Sequence, residues 1–506
     1  MSTPDPRSEH VPVHAPSAKL VIHVDESAVG VGKTERAIDR ALRLPARWLF
    51  AVERLDSIDE LASRLAAHAG AGVEPRIVQI KSHPTQRGLS VRQEVEALPT
   101  RYENGHVIAL CTHEALLMSD LADFHGWHLV IDEVPNVLLM QEVQSKLDLA
   151  FFATHYALTR INDEWSKVTL TEQGRAITGS DLYQDDSHRH LRLFHQRVAR
   201  STDSTRAVLC NLHSWNGMQH GDVKWVWWSL FSVRELESFA KIYCLGNGFM
   251  AAVSTKMMRA WDKDAEWHAT STNGTRQVEP RRVSVRYFSS DRPAAKSFFE
   301  STKGQQALTA IGNHIAARVP HNRFIWSANE VAVPPLRATL PSSGQLKPKQ
   351  AGTGKWMHCT DAAMIYAAKP NPNIRSVLDA IGVSHEDWVQ TTEFETVLQF
   401  VTRTSIRDVG SSAHATVYVF DRWQAEYLMT FFAAQAQIDA DIEWIDLGLS
   451  FEPEKPGPKV RALSPEEAEQ KIAARRAKKA LSARNRRAQI AAEKGVAGRK
   501  RGQQSP

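Results

Sequence analysis

Two kinds of apolar pattern alternate along the chain. Short runs rich in β-branched and aromatic residues recur at LVIHV (20–24), WLFAV (48–52), RIVQI (76–80), HVIALCT (106–112) and HLVID (128–132). Between them, as in ERAIDRALRL (35–44) and SIDELASRLAAHA (57–69), apolar positions return every three or four residues. The first kind predicts buried strands and the second amphipathic helices. Strands alternating with helices predict a parallel sheet covered on both faces. The alternation lapses over 156–235, where the aromatic run KWVWWSLF (224–231) stands out. That run reads either as a strand packing its rings into a core or as a platform on which bases stack. KIYCLG (241–246) is a further strand. A second alternating block starts at VSVRYFS (283–289) and continues through RFIWSA (323–328), AAMIYAA (362–368), a helix over FETVLQFVTRTSIRD (394–408) and ATVYVFD (415–421).

These patterns divide the chain into a polar, Pro-rich, disordered leader at 1–17, a first α/β lobe at 18–260 and a second at 280–450. A Pro-rich linker and a basic tail follow at 451–506. The 156–235 stretch is either an insertion or a divergent part of the first lobe.

Charge sharpens this division. Residues 455–506 hold 15 Lys/Arg against 4 Asp/Glu, so the tail carries +11 while the whole chain carries +5. A mildly acidic body with a basic arm points to an appendage that meets a polyanion. No run of about 18 apolar residues predicts a membrane span, and the leader lacks the apolar core of an export signal. The four cysteines are far apart and form no CxxC pair. That argues against a disulfide framework or zinc module and fits a reducing, cytoplasmic setting.

Chemistry concentrates at two places in the first block. Ser27-Ala28-Val29-Gly30-Val31-Gly32-Lys33-Thr34 follows a predicted strand and opens a predicted helix, which is the context of a phosphate-binding loop. Gly30 and Gly32 let backbone N–H groups approach phosphate oxygens, with Ser27 and Val31 completing the loop. Lys33 is placed to neutralise the β- and γ-phosphates of ATP, and the Thr34 hydroxyl to ligate Mg²⁺. A similar stretch, Gly352-Thr353-Gly354-Lys355, is followed by Trp356 and lacks the metal-binding hydroxyl, so it is not a phosphate-binding loop. The apolar strand ending in Asp132-Glu133 supplies the carboxylates that hydrolysis needs: Asp132 near the metal, Glu133 to orient or deprotonate water.

Together these residues resemble the superfamily 2 helicases of the DEAD/DEAH-like group. The loop resembles the A-x-T-G-x-G-K-T form of that family, and Asp132-Glu133 its D-E-x-x motif. Thr112-His113-Glu114-Ala115-Leu116 is similar to the family's Thr-His-x-Ala-Leu segment, which implies nucleic-acid contacts at Thr112 and His113. Gln399-Phe400-Val401-Thr402-Arg403-Thr404-Ser405-Ile406-Arg407 is similar to Q-R-x-G-R-x-x-R. It departs from that motif at Thr402 and in placing the last Arg one residue late. The spacing of four would put Gln399, Arg403 and Arg407 on one helical face, and the resemblance implies an arginine finger at Arg403 or Arg407. The family's Ser-Ala-Thr motif falls positionally near Leu245-Gly246-Asn247-Gly248-Phe249. Ala351-Gly352-Thr353 resembles the Gly-bearing segment that implies a further nucleic-acid contact in the second lobe.

The resemblance implies two RecA-like lobes closing on ATP and Mg²⁺ and acting on nucleic acid, DNA more than RNA. The residue usage fits a bacterial, phage or plasmid origin. Two other readings stand beside it: an ATPase switch or remodelling factor without unwinding activity, and a non-enzymatic nucleic-acid-binding protein that uses its tail.

Overall fold

The computed structural model describes residues 19–27, 31–68, 75–81, 89–144, 149–202, 205–211, 224–271, 279–348 and 354–451. The leader, the basic tail, Gly30, Gly352 and Thr353 lie outside the described residues.

Three sheets organise the described residues. The first is built from β1 (Val21–Asp25), β2 (Arg47–Val52), β3 (Arg76–Gln79), β4 (Val107–Thr112), β5 (Trp127–Asp132), β11 (Lys241–Leu245) and β12 (Glu266–Thr270). Its order is β12-β1-β11-β5-β2-β4-β3, and every pairing is parallel. The strand β2 illustrates why the sequence folds this way. It is almost continuously apolar because both of its faces are covered. Leu49 and Ala51 point into one core, while Trp48, Phe50 and Val52 point into the core on the opposite face. The helices α1 (Lys33–Arg43) and α2 (Leu55–His68) cover that second face through Ala37, Ile38, Ala41, Ile58, Leu61 and Leu65. The short helix α3 (His113–Met118) follows β4 directly.

The second sheet occupies the stretch whose sequence pattern lapses. It comprises β6 (Leu138–Gln144), β7 (Tyr156–Arg160), β8 (Trp165–Leu170), β9 (Val208–Asn211) and β10 (Lys224–Leu230), in the order β6-β10-β9-β8-β7. All its pairings are antiparallel. The middle of the chain is therefore a regular antiparallel sheet inserted between β5 and β11, not an irregular segment. It carries its own apolar cluster, in which Phe194 and Val198 of α4 (Arg192–Ala199) pack against Val168, Val208 and Trp227. Trp227 and Trp228 are both fully buried, so these two rings form core and not an exposed stacking platform. Each such side chain removed from water contributes roughly 1.5–3 kcal/mol or more.

After α5 (Val253–Trp261) the chain adds β12 to the edge of the first sheet and then enters the third. Its strands are β13 (Arg281–Ser289), β14 (Phe324–Ala328), β15 (Asp361–Ile365), β16 (Ala415–Asp421) and β17 (Ile438–Trp444). Their order is β14-β15-β16-β13-β17, again all parallel. The strand β16 alternates between two cores as β2 does: Tyr418 and Phe420 on one face, Val417 and Val419 on the other. Leu308 and Ile311 of α6 (Thr302–Ala316) cover the former, and Leu428 and Phe432 of α9 (Arg422–Ala433) the latter. Between β15 and β16 lie α7 (Pro372–Ile381) and α8 (Glu395–Val401), the latter preceded by a π-helical turn at Gln390–Phe394. The predicted helix over 394–408 thus stops at Val401, and Thr402–Arg407 continue as turns. Among the described residues no helix is long and apolar enough to cross a membrane.

Candidate functional site

In parallel sheets, ligands gather at the carboxyl ends of the strands. Here β1, β11 and β5 are neighbours, so the segments leaving Asp25, Leu245 and Asp132 emerge at one edge. Gly32 caps the amino end of α1 at φ +78°, a left-handed conformation that glycine adopts without steric cost. The Lys33 ammonium turns back and donates to the Ser27 carbonyl at 2.7 Å. Ser27 is itself buried and donates its hydroxyl to Asp25 Oδ1 at 2.5 Å. Arg36 donates to Asp25 Oδ2 at 2.7 Å and to the Val31 carbonyl at 2.7 Å. Burial raises the Asp25 pKa, but the bonds from Ser27 and Arg36 outweigh it and hold this carboxyl below the usual range. Asp25 and Arg36 therefore brace the loop, although neither belongs to the motif and no sequence signal marks them.

Asp132 ends β5 with its carboxylate 3.2 Å and 3.3 Å from the Thr34 hydroxyl, which donates to it. Its neighbour Glu133 sits at φ +70°, a conformation that costs a non-glycine residue of order 1–3 kcal/mol and persists only where surroundings impose it. Here the Glu133 N–H donates to the Leu245 carbonyl at 2.7 Å, which fixes the turn. Burial, aided by Asp132, pushes the Glu133 carboxyl up to about 7, against the opposing pull of Lys33. Burial likewise lowers Lys33, opposed by Glu133, Asp25 and Asp132.

The facing wall comes from the third sheet's side of the chain. Gln399 on α8 and Arg403 and Arg407 in the turns after it line the same cleft of about 500 Å³ as Lys33, Thr34, Asp132 and Glu133. The spacing of four brings the three residues together, but through turns and not along a continuous helix. Arg403 is 6 % exposed. Its Nε donates to the Gln399 carbonyl at 2.9 Å, and its Nη1 is buried with no hydrogen-bond partner. Burial and the neighbouring Arg407 push this guanidinium down to about 10, while Glu133 and Glu53 favour its charged form. Asn247, beside the end of β11, donates to Glu395 Oε1 at 3.1 Å. Glu395 also accepts from the Tyr427 hydroxyl at 3.1 Å, so it links the two sides of the cleft.

Other expected contacts separate. Thr112 caps α3, its hydroxyl accepting from the Ala115 N–H at 3.2 Å, and lines a second cavity. His113 is buried at 6 % exposure, and its Nε2 lies 2.9 Å from the Asp132 carbonyl oxygen. Burial pushes its pKa down to about 4. The structure thus places His113, expected to touch nucleic acid, beneath the surface and bonded to the end of β5.

The donor set fits a nucleotide and a hard cation. Among the described residues no group of three or more His, Cys, Asp or Glu could hold a metal alone. The Thr34 hydroxyl and the Asp132 carboxylate, side by side at 3.2 Å, are hard oxygen donors of the kind that would hold Mg²⁺. The orphaned Arg403 Nη1 is a buried cation donor lacking an acceptor in this cleft.

Two parallel α/β lobes share a cleft, and this pairing of RecA-like lobes is a fold also found in solved helicase structures. The solved structure of an XPD helicase aligns over 84% of this chain and 96% of its own at a TM-score of 0.50, with 10% sequence identity. S. tokodaii Xpd4 aligns over the same shares at a TM-score of 0.45 and 9% identity. A DEAD box protein from Methanococcus jannaschii covers 84% of this chain and 88% of its own at 0.27 and 8%. The first of these likenesses carries the fold. No family model matches the chain, and no curated protein matches its sequence.

Proposed function

We propose that the chain is an ATP-driven nucleic-acid motor that hydrolyses ATP between its two lobes. The observation that carries this reading is the convergence in one cleft of Lys33, Thr34, Asp132 and Glu133 from one lobe with Arg403 and Arg407 from the other. Lys33 pairs with the β- and γ-phosphates once it leaves the Ser27 carbonyl, and Thr34 and Asp132 hold Mg²⁺. Held by Thr34 and Asp132, the ion would supply charge neutralisation to the phosphates. Glu133 takes a proton from the attacking water. The water oxygen bonds to the γ-phosphorus, the bond to the β–γ bridging oxygen breaks, and ADP and inorganic phosphate leave. Arg403 directs its unpaired Nη1 at the charge that develops on the transferred group. Thr112 and the basic tail contact the strand, DNA more than RNA, in a cytoplasmic setting.

The test is ATP hydrolysis with and without single- and double-stranded DNA and RNA. The reading expects stimulation by at least one of them and loss of hydrolysis in Lys33→Ala. Normal turnover by Lys33→Ala would overturn it. One observation favours a second reading, an ATPase switch that does not unwind. Val377, Leu378 and Ile381 of α7 belong to the apolar cluster of the first lobe, which ties the lobes together. A strand-displacement assay run beside the ATPase assay separates the two readings.

A further inference from the structure

Away from the nucleotide cleft, a second cavity of about 800 Å³ opens between the first lobe and the inserted antiparallel sheet. Arginines approach it from both walls: Arg54 and Arg92 from the lobe, and Arg192, Arg197 and Arg200 from α4 and its end. Two of them tie the walls together. Arg197 Nη2 donates to Met118 Sδ at 2.6 Å, and Arg200 donates to the Met118 carbonyl. The Arg197 Nε is buried and has no hydrogen-bond partner. Burial and Arg206 push that guanidinium down to about 10, against the pull of Glu235 and Glu114. Arg192 is exposed and stands over the Tyr183 ring at 5.0 Å.

Five guanidinium groups are more than this cavity's own carboxylates, Glu53 and Glu114, balance. Glu96 engages both Arg92 at 3.3 Å and Arg200 at 4.0 Å, and Asp56 engages Arg54 at 3.2 Å, so the five guanidinium groups still outnumber the four carboxylates around them. The floor between the arginines is apolar, with Leu55, Ile80, Val91, Ile177 and Leu193. A cationic rim over an apolar floor matches a chain of phosphates bearing flat apolar bases. Among the described residues that line it the one ring is His195, which is buried and committed: its Nδ1 meets the Tyr156 hydroxyl at 3.0 Å and its Nε2 the Ile177 carbonyl at 3.0 Å. The cavity therefore has no base-reading edge on an aromatic residue, so its grip falls on the backbone and is indifferent to sequence.

We propose that the inserted sheet works as the second wall of a groove that holds the phosphodiester backbone of single-stranded nucleic acid, gripped by Arg192, Arg197 and Arg200 opposite Thr112. This rests on the motor reading and assigns a task to the insertion.

The test uses the full chain and a fluorescein-labelled oligothymidine of about 20 nucleotides, titrated across a range of salt concentrations. The comparison is with Arg192→Ala/Arg197→Ala/Arg200→Ala and with the charge-conserving triple Lys variant. Each phosphate contact contributes about −0.7 to the slope of log K against log salt for a single strand. The triple Ala variant is expected to bind at least tenfold more weakly, with a slope shallower by about 2. The Lys variant is expected to keep the slope, which guards against a folding defect in the Ala variant. Photo-crosslinks from 4-thiothymidine in the strand are expected in peptides covering 178–200. A triple Ala variant with unchanged affinity and slope, or crosslinks confined to the tail, would overturn the groove and leave the motor intact. A wild-type chain that binds no strand would overturn both.

Discussion

Replacement of Arg403 by alanine separates catalysis from architecture at this site. The guanidinium is almost fully enclosed, with one nitrogen bonded to the Gln399 carbonyl and Nη1 unpaired. An unpaired buried donor costs roughly 1–3 kcal/mol, and more when charged. Truncation relieves that cost and forfeits the Nε bond, worth about 0.5–1.5 kcal/mol. The two effects oppose each other, so Arg403→Ala is expected to unfold within about 1 kcal/mol of the parent in guanidinium titrations. Catalysis responds differently. A donor aimed at charge that develops in the transition state contributes about 2.7–4 kcal/mol, or 10²–10³ in kcat.

Steady-state hydrolysis with saturating strand and ATP reads that loss directly. Arg403→Lys is expected to fall between the parent and the Ala variant, because it keeps the charge and loses the planar fork. A variant lacking Arg403 that hydrolyses within threefold of the parent would refute the assignment. So would a loss of more than about 3 kcal/mol in stability with kcat intact, since that outcome makes the residue a structural one.

Lys33→Ala is expected to abolish nucleotide-dependent stabilisation, which for the parent reaches about 2.7 kcal/mol at a hundredfold excess of ligand over Kd; a thermal-shift titration with ATP and Mg²⁺ reads it. Because Glu133 acts as a base and is held up at about 7, kcat/KM is expected to fall about tenfold per pH unit below 7. A profile that stays flat down to pH 5.5 would exclude that role. Stability runs the other way: a carboxyl raised in the folded state binds a proton that the unfolded chain has released. Its contribution is therefore full below about 4.5 and is lost as pH rises through 7, and Glu133→Gln should flatten that slope in unfolding titrations. A double-mutant cycle on Asn247 and Glu395, read by unfolding, is expected to return a coupling of about 0.5–3 kcal/mol; additive effects would show that the bond does not link the lobes.

How much of this was legible in the sequence depends on distance along the chain. β2 and β4 were readable because a strand buried on both faces is a continuous apolar run, and the nucleotide loop because its glycines and Lys33 lie close together in sequence. The insertion was not readable beyond β10. Tyr156–Arg160 has a single buried residue and Val208–Asn211 is only four residues long, so neither carries a clear period-two signal. The C-terminal motif was right in its convergence and wrong in its cause, since α8 ends at Val401 and turns deliver Arg403 and Arg407. Nothing local marks Arg36 as the brace of Asp25, or the strained φ of Glu133. The arginines of the second cavity come from residues about a hundred positions apart, so only folding brings Arg92 opposite Arg197.

The placement of α7 constrains how such a cleft could open. By connectivity it belongs with the third sheet, between β15 and β16. Its apolar residues Val377, Leu378 and Ile381 nevertheless join the core that contains Trp228 and Met257. Polar links accompany it: Asn373 donates to Glu142 Oε2 at 3.2 Å, the Val253 N–H donates to the Thr391 hydroxyl at 2.9 Å, and Lys256 pairs with Asp387. Polar links of this kind, exposed or only partly buried, are worth about 0–1 kcal/mol each. Exposing three buried aliphatic side chains costs roughly 1.5–3 kcal/mol apiece. Their sum exceeds the 1–3 kcal/mol typical of coupling between two sites. The inexpensive motion leaves α7 on the first lobe and bends the segments that flank it. Gly382, at φ +83°, and the π-helical turn at Gln390–Phe394 lie in one of those segments, and such turns are where helices give way. Hydrogen exchange is therefore expected to show amides of 372–381 equally protected with and without ATP and Mg²⁺, while those of 390–394 change by tenfold or more. Nucleotide-dependent exposure of 372–381 would mean that the whole helix leaves the first lobe, and the hinge would have to be sought before Arg281.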